Sequence, residues 1–206
     1  MRAAFLSGGK DSYYALVKAG GADLGLLVIY DFPRPSPHVV NLGKTLESLS
    51  LTGLPVLVVR AERERALEQK AALLRKLGAR EIVAGDVYIE GHLKYMERLA
   101  AEAGARLLEP LWGKDPRELL VEEAEAGIVS LVIGADRRLE RWLGVEVSRE
   151  NVHELAEHAS RLGLDPLGER GEYHTLVLHG PLHRQRASYE PLRREEHGDY
   201  LILKVI

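Results

Sequence analysis

The apolar positions of the chain follow two rhythms. Nearly unbroken apolar runs recur at residues 1–6 (MRAAFL), 24–32 (LGLLVIYDF), 54–59 (LPVLVV), 80–85 (REIVAG) and the start of 105–112 (ARLLEPLW). All read as strands, and the run at 24–32 as one buried on both faces, because a strand covered on both sides has no polar face to alternate with. Between them, apolar residues fall at helical spacing. DSYYALVKAG follows the first run and stops at Gly20-Gly21. Residues 38–53 carry Val39, Leu42, Leu46 and Leu49 with Gly43 inside the stripe, and 62–78 and 89–104 complete the set. Pro33, Pro35 and Pro37 force an extended loop after the second strand. Strands alternating with helices predict an open α/β fold, a parallel sheet with helical crossovers on both faces, Rossmann-like.

After residue 105 the rhythm changes. Residues 115–127 read as a helix opened by Asp115 as cap and Pro116 in the first turn. A buried strand follows at 128–136, then a helix at 149–163 capped by Ser148, and strand-like text from 166 onward. This predicts two domains, 1–105 and 106–206, the second smaller, mixed α/β and ending in antiparallel strands. No linker, internal repeat or low-complexity segment separates them.

Composition narrows the classes of function. The chain has 206 residues, 46% hydrophobic and 29% charged, with a net charge of -3. That balance gives no electrostatic grip on DNA or an anionic membrane. The absence of cysteine excludes disulfides, thiolate catalysis and Cys-ligated zinc. No run of about 18 apolar residues exists to span a bilayer, and the N-terminal run is too short for a signal peptide. The expected location is the cytoplasm. Scarce Asn, Gln and Met beside abundant Arg, Glu and Leu point to a thermophilic source, a bias a GC-rich genome also produces. The sequence leaves self-association into a homo-oligomer open.

SGGKDS, residues 7–12, sits where the first strand ends and a helix begins near Ser12. In open α/β sheets ligands bind beyond the carboxyl ends of strands, at such loops. Gly8 and Gly9 let backbone approach a ligand and can form an anion nest, and the helix adds the positive end of its dipole. Lys10 brings a formal charge, and Ser7 and Ser12 bring hydroxyl donors. Asp11 beside phosphate requires an intervening cation, such as Mg²⁺ carried by a nucleotide. The pattern is neither a Walker A loop nor GxGxxG. A polyphosphate site is expected, the alternative being a Gly-rich turn with a cap residue.

Asp86 follows the strand at 80–85, where it faces the same crevice as a Mg²⁺ or substrate contact or caps a helix. His38 and Asn41 border adenine or substrate, or belong to a structural loop. Trp112 reads as a packing residue, and Asp136 as a site residue or a cap. Glu169 and Glu172 flank Gly171 in a turn entering a strand, along which Glu172 and His174 share one face. HELAEH (153–158) is no zinc helix, since histidines five apart point about 140° from one another. The Arg60, Arg63, Arg65 cluster and the Arg pairs at 137–138 and 193–194 are solvated faces.

SGGKDS after a first strand resembles the signature of the PP-loop ATP pyrophosphatases, the N-type family that cleaves ATP to AMP and pyrophosphate. GDVYIEGHLKYMERLAAEAG (85–104), EPLWGKDPRELL (109–120) and GERGEYHTLVLHGPL (168–182) together resemble the diphthine–ammonia ligase family over most of the chain. The resemblance implies an adenine-nucleotide α-hydrolase-like fold and an ATP-dependent amidoligase working through an acyl-adenylate. Its partners would be ATP with Mg²⁺, ammonia and a carboxylate-bearing substrate, free or carried on a protein. It implies nucleotide contacts at Ser7, Gly8, Gly9, Lys10, Asp11, Ser12 and Asp86, with Lys10 holding the pyrophosphate. Glu169, Glu172 and His174 would meet the acceptor chemistry. One departure stands out. Diphthamide-making members resemble EGGEFET here, whereas this chain carries Arg170 and His174, and GExGEYHT is more similar to a bacterial branch acting on another substrate, with cobalamin salvage suggested. Two other readings remain: a PP-loop enzyme of tRNA thiolation, which the missing cysteines and basic surface oppose, and a nucleotide-binding protein without catalysis.

Overall fold

The structure, a computed structural model, describes residues 1–30 and 35–206. The last two residues of the expected 24–32 strand, and Pro33 of the loop after it, lie outside these. The chain divides into two compact units. The first holds Met1–Ser7, the stretch from Asp11 through the second strand, and Leu54–Gly113. The second holds Gly8–Lys10, the helical segment up to Gly53, and Lys114–Ile206.

The first unit is a five-stranded parallel sheet of β1 (Arg2–Phe5), β2 (Leu24–Ile29), β3 (Val56–Arg60), β4 (Glu81–Val83) and β5 (Arg106–Leu108), in the order β3-β2-β1-β4-β5. The direction of crossover reverses between β1 and β4, so right-handed connections place α1 (Lys10–Lys18) on one face and α4 (Ala66–Lys76) with α5 (Glu90–Ala103) on the other. Helices α4 and α5 pack on each other as this requires. The core gathers Ala3 and Leu26 from the sheet with Leu74, Ile82 and Leu99 around them. At the sheet's edge β3 leaves Leu57 and Val58 over a third exposed, so the apolar run at 54–59 is not buried on both faces.

The second unit carries an antiparallel sheet of β6 (Val129–Asp136), β7 (Glu146–Val147), β8 (Tyr173–His179), β9 (Pro191–His197) and β10 (Tyr200–Val205). β8 occupies one edge of β6, while β7 and β10 share the other. Leu131, Ile133, Leu176, Leu178 and Val205 form its core. Helices α6 (Pro116–Glu125) and α7 (Val152–Arg161) pack together. Asp115 caps α6 by accepting from the amides of Arg117 and Glu118, as its sequence predicts.

Three local expectations are corrected. The helical stripe at 38–53 is two helices, α2 (Pro37–Val40) and α3 (Leu42–Leu51), broken at Asn41 and not weakened at Gly43. The buried Asn41 side chain donates to Pro37 O and Leu203 O and accepts from Val205 N, tying the break to β10. α1 opens at Lys10, two residues before Ser12. α7 is preceded by Asn151, whose amide bridges Ser148 N and Glu146 O, while the Ser148 hydroxyl accepts from Glu150 N outside the helix.

Candidate active site

The order β3-β2-β1-β4-β5 puts the topological switch point between β1 and β4, and SGGKDS leaves the carboxyl end of β1. Within the first unit, Ser7 N donates to the Ser12 hydroxyl at 3.2 Å, and the two hydroxyls lie 3.1 Å apart. Ser7 is exposed, while Asp11 and Ser12 are half-buried in the first turn of α1. Past β4, the chain presses against that turn: a Cβ at Gly85 would lie 3.0 Å from Asp11 O. Asp86 comes next. Its carboxylate pairs with His92 Nδ1 at 3.3 Å and its amide donates to Glu109 Oε2. Asp86 is not a helix cap, because α5 starts at Glu90 after Ile89.

A buried lysine lies in the same unit. The Lys70 ammonium is enclosed by the rings of Phe5, Tyr30 and Tyr95, at 4.4 Å from the centroid of Tyr95, and donates to the Tyr30 hydroxyl at 2.7 Å. Burial pulls its pKa down to about 8 against the opposing pull of Asp86. Burial pushes the Tyr30 phenol up to about 12.

Residues 8–10 are held by the second unit. Val177 N of β8 donates to Gly8 O at 2.9 Å, and Lys10 N donates to the Thr175 hydroxyl at 3.2 Å. The loop is therefore laid along the edge of β8 that β6 does not use. Gly8 has φ +89, and a Cβ there would meet Thr45 Cγ2 at 2.7 Å, so both backbone and space demand glycine. The expectation turned the Lys10 ammonium toward a phosphate. The structure turns it toward Glu123, 3.3 Å away, with the Tyr173 ring centroid at 5.7 Å. Lys10 and Glu123 are 3% and 2% exposed.

β8 also carries the second group of expected residues. Glu172 just precedes it, and both of its oxygens are used in the turn, accepting from Asp165 N and Arg170 N. Asp165 accepts in turn from Leu167 N and Glu169 N. Glu172 thus shapes the GERGE turn, and Glu169 is half-buried within it. His174, half-buried, shares its Nδ1 with the Tyr200 hydroxyl at 2.5 Å and meets His38 edge-on with ring centroids 5.7 Å apart. Burial first, and the nearby His174 second, pull the His38 pKa down to about 3, so His38 is neutral. Asn41 is structural, and Asp136 is a cap that accepts from Arg138 N and pairs with its guanidinium. His158 of the HELAEH stretch accepts from the Trp142 indole.

Sequence reasoning missed Glu123, Thr45, Asp165, Lys70 and Tyr200, and the contact of Thr175 with residues 8–10. Only Glu123 carried a signal: it falls on the apolar stripe of α6 with Leu119, Leu120 and Ala124, where a carboxylate needs a buried partner.

The family model described as the diphthamide synthase N-terminal domain matches residues 1–107, and that described as the diphthamide synthase C-terminal domain matches residues 115–205. No curated protein matches the chain. A similar solved structure is a predicted subunit of tRNA methyltransferase from Methanocaldococcus jannaschii. It is 15% identical with a TM-score of 0.43, over 88% of this chain and 98% of that one. Among the described residues no helix is long and apolar enough to cross a membrane.

Proposed function

Because the chain belongs to the diphthamide synthase family, enzymes of the PP-loop ATP pyrophosphatase type, we propose that it is an ATP-dependent carbon–nitrogen ligase. A carboxylate oxygen of the substrate attacks the α-phosphorus of ATP and pyrophosphate leaves. Ammonia then attacks the acyl carbon, AMP leaves, and a base takes the surplus proton. One observation carries the reading: β8 holds residues 8–10 of the phosphate loop through Thr175 and Val177, and the same strand carries His174. A strand shared in this way keeps the leaving pyrophosphate and the incoming nucleophile in one frame.

In this proposal the Gly8 and Gly9 amides and the N-terminal turn of α1 receive the pyrophosphate portion, with Ser7 and Ser12 as hydroxyl donors. Asp11 would supply one hard oxygen to a Mg²⁺ carried by the nucleotide, which would offset the negative charge of the phosphates beside that carboxylate. Lys10 joins the phosphates when it exchanges Glu123 for them. His174 is the base on the acceptor side, and Glu169 and Glu172 hold the turn that presents it. An imidazole where diphthamide-making members carry a carboxylate favours a second substrate reading: the same adenylation applied to a different carboxylate, as in cobalamin salvage.

The test is release of AMP and pyrophosphate from ATP–Mg²⁺ with ammonium and a panel of carboxylates. Release that depends on one carboxylate and on ammonium is the expected result. Nucleotide bound at residues 7–12 with no cleavage under any condition would leave a nucleotide-binding protein and overturn the ligase.

A further inference from the structure

Tyr200 sits deep in the second unit, 3% exposed, at the start of β10. Its hydroxyl lies 2.5 Å from His174 Nδ1, and the two rings meet edge-on with centroids 6.0 Å apart. The hydroxyl occupies space that only glycine leaves open: a Cβ at Gly134 of β6 would lie 2.9 Å from Tyr200 Oη and 2.5 Å from Pro37 Cγ. Gly134 of β6 lies opposite His174 of β8 on one side and Ile202 of β10 on the other, and Tyr200, two residues before Ile202, is opposite Asp136. His38 closes the cluster, with its Nδ1 buried and lacking a hydrogen-bond partner among the described residues.

We propose that Tyr200 is a positioning residue for His174: its hydroxyl accepts from Nδ1–H, so that Nε2 is the nitrogen through which the ring takes a proton from ammonium. The inference rests on the ligase reading for the identity of the proton donor, not for the state of the ring. The step balances simply. The N–H bond of ammonium breaks, its electron pair stays on nitrogen as the lone pair of ammonia, and the proton forms a bond to Nε2. A histidine's two nitrogens are not equivalent, and the bond made at one decides what the other can do. A phenol is uncharged, so it fixes the tautomer without the strong rise in basicity a carboxylate would bring. His38 is kept neutral by its burial.

The experiment is long-range ¹⁵N–¹H NMR of the imidazoles in the whole protein, with His174 assigned by loss of its signals in His174→Gln. The expected spectrum shows neutral His174 as the Nδ1–H tautomer in the wild type, shifting toward Nε2–H in Tyr200→Phe. The ammonium KM rises about tenfold, as for one lost hydrogen bond, while kcat at saturating ammonium stays within about threefold. Gly134→Ala, which displaces the hydroxyl rather than deleting it, gives the same tautomer change. A wild-type His174 already in the Nε2–H form, or no change in either variant with folding intact, overturns the proposal. If the tautomer shifts as expected but the wild type releases no pyrophosphate with any carboxylate and ammonium, the positioning stands and the ligase reading falls.

Discussion

Lys10 and Glu123 form an ion pair 3.3 Å long that is almost entirely removed from water. Lys10 opens α1 directly after Gly8 and Gly9, and Glu123 lies on the apolar stripe of α6. A buried pair of this kind contributes little net stability, but its halves cannot be removed singly without leaving a charge in the interior.

Lys10→Met therefore destabilises the protein by about 3–5 kcal/mol, and Lys10→Met combined with Glu123→Leu restores most of that loss, read by urea unfolding. The double variant also separates folding from chemistry. If it folds yet releases no AMP, the ammonium is needed by the reaction; unchanged AMP release would remove Lys10 from the phosphate site.

Gly8→Ala faces a positive φ and the Thr45 methyl together. Loss of about 1–3 kcal/mol is expected, with weaker ATP binding by calorimetry. Adding Thr45→Ser removes the clashing methyl but not the backbone strain, so it recovers only part of the stability. Full recovery would show that space alone requires glycine here.

Asn41 satisfies backbone groups on β10 as well as its own helix break. Asn41→Ala leaves Leu203 O and Val205 N buried without that partner, and about 2–4 kcal/mol is lost. Hydrogen exchange at the Val205 amide should quicken more than at the β1 amides.

His38 links stability to pH. Its folded pKa, about 3, lies below the ordinary value of 6.5, so between these limits the unfolded chain binds the proton and the folded chain does not. The contribution is complete above pH 6.5 and lost as pH falls toward 3. Relative to His38→Phe, the wild type should lose on the order of 2 kcal/mol more between pH 7 and pH 5. An equal loss of stability in wild type and His38→Phe between the two pH values, read by urea unfolding, would contradict the burial of its ring as the cause.

The parallel sheet was legible because its strands lie in short apolar runs that local pattern alone distinguishes from the helices beside them, although the edge strand β3 is partly exposed. The position of the SGGKDS loop was legible for a similar reason, since Ser7 through Ser12 is a contiguous stretch that ends one element and opens the next. Asp115 announced its cap within three residues. Glu172 and His174 were found together because they share a turn and a strand, but their roles were not separable there: Glu172 spends both oxygens on backbone amides, while His174 answers to Tyr200. Asn41 broke a helix the periodicity favours, because its partners lie on β10.

What the sequence by itself determined were the features written in neighbouring residues: strand and helix alternation, the parallel order's need for crossovers, and a Gly-rich loop between the first strand and the first helix. Only the tertiary structure decided what holds that loop, since Lys10 N and its Thr175 partner lie 165 positions apart. The same holds for the counter-charge at Glu123 and the hydroxyl at His174. Hydrogen bonds and ion pairs act over about 3 Å of space, and a one-dimensional pattern carries no measure of which distant residues the fold will bring that close.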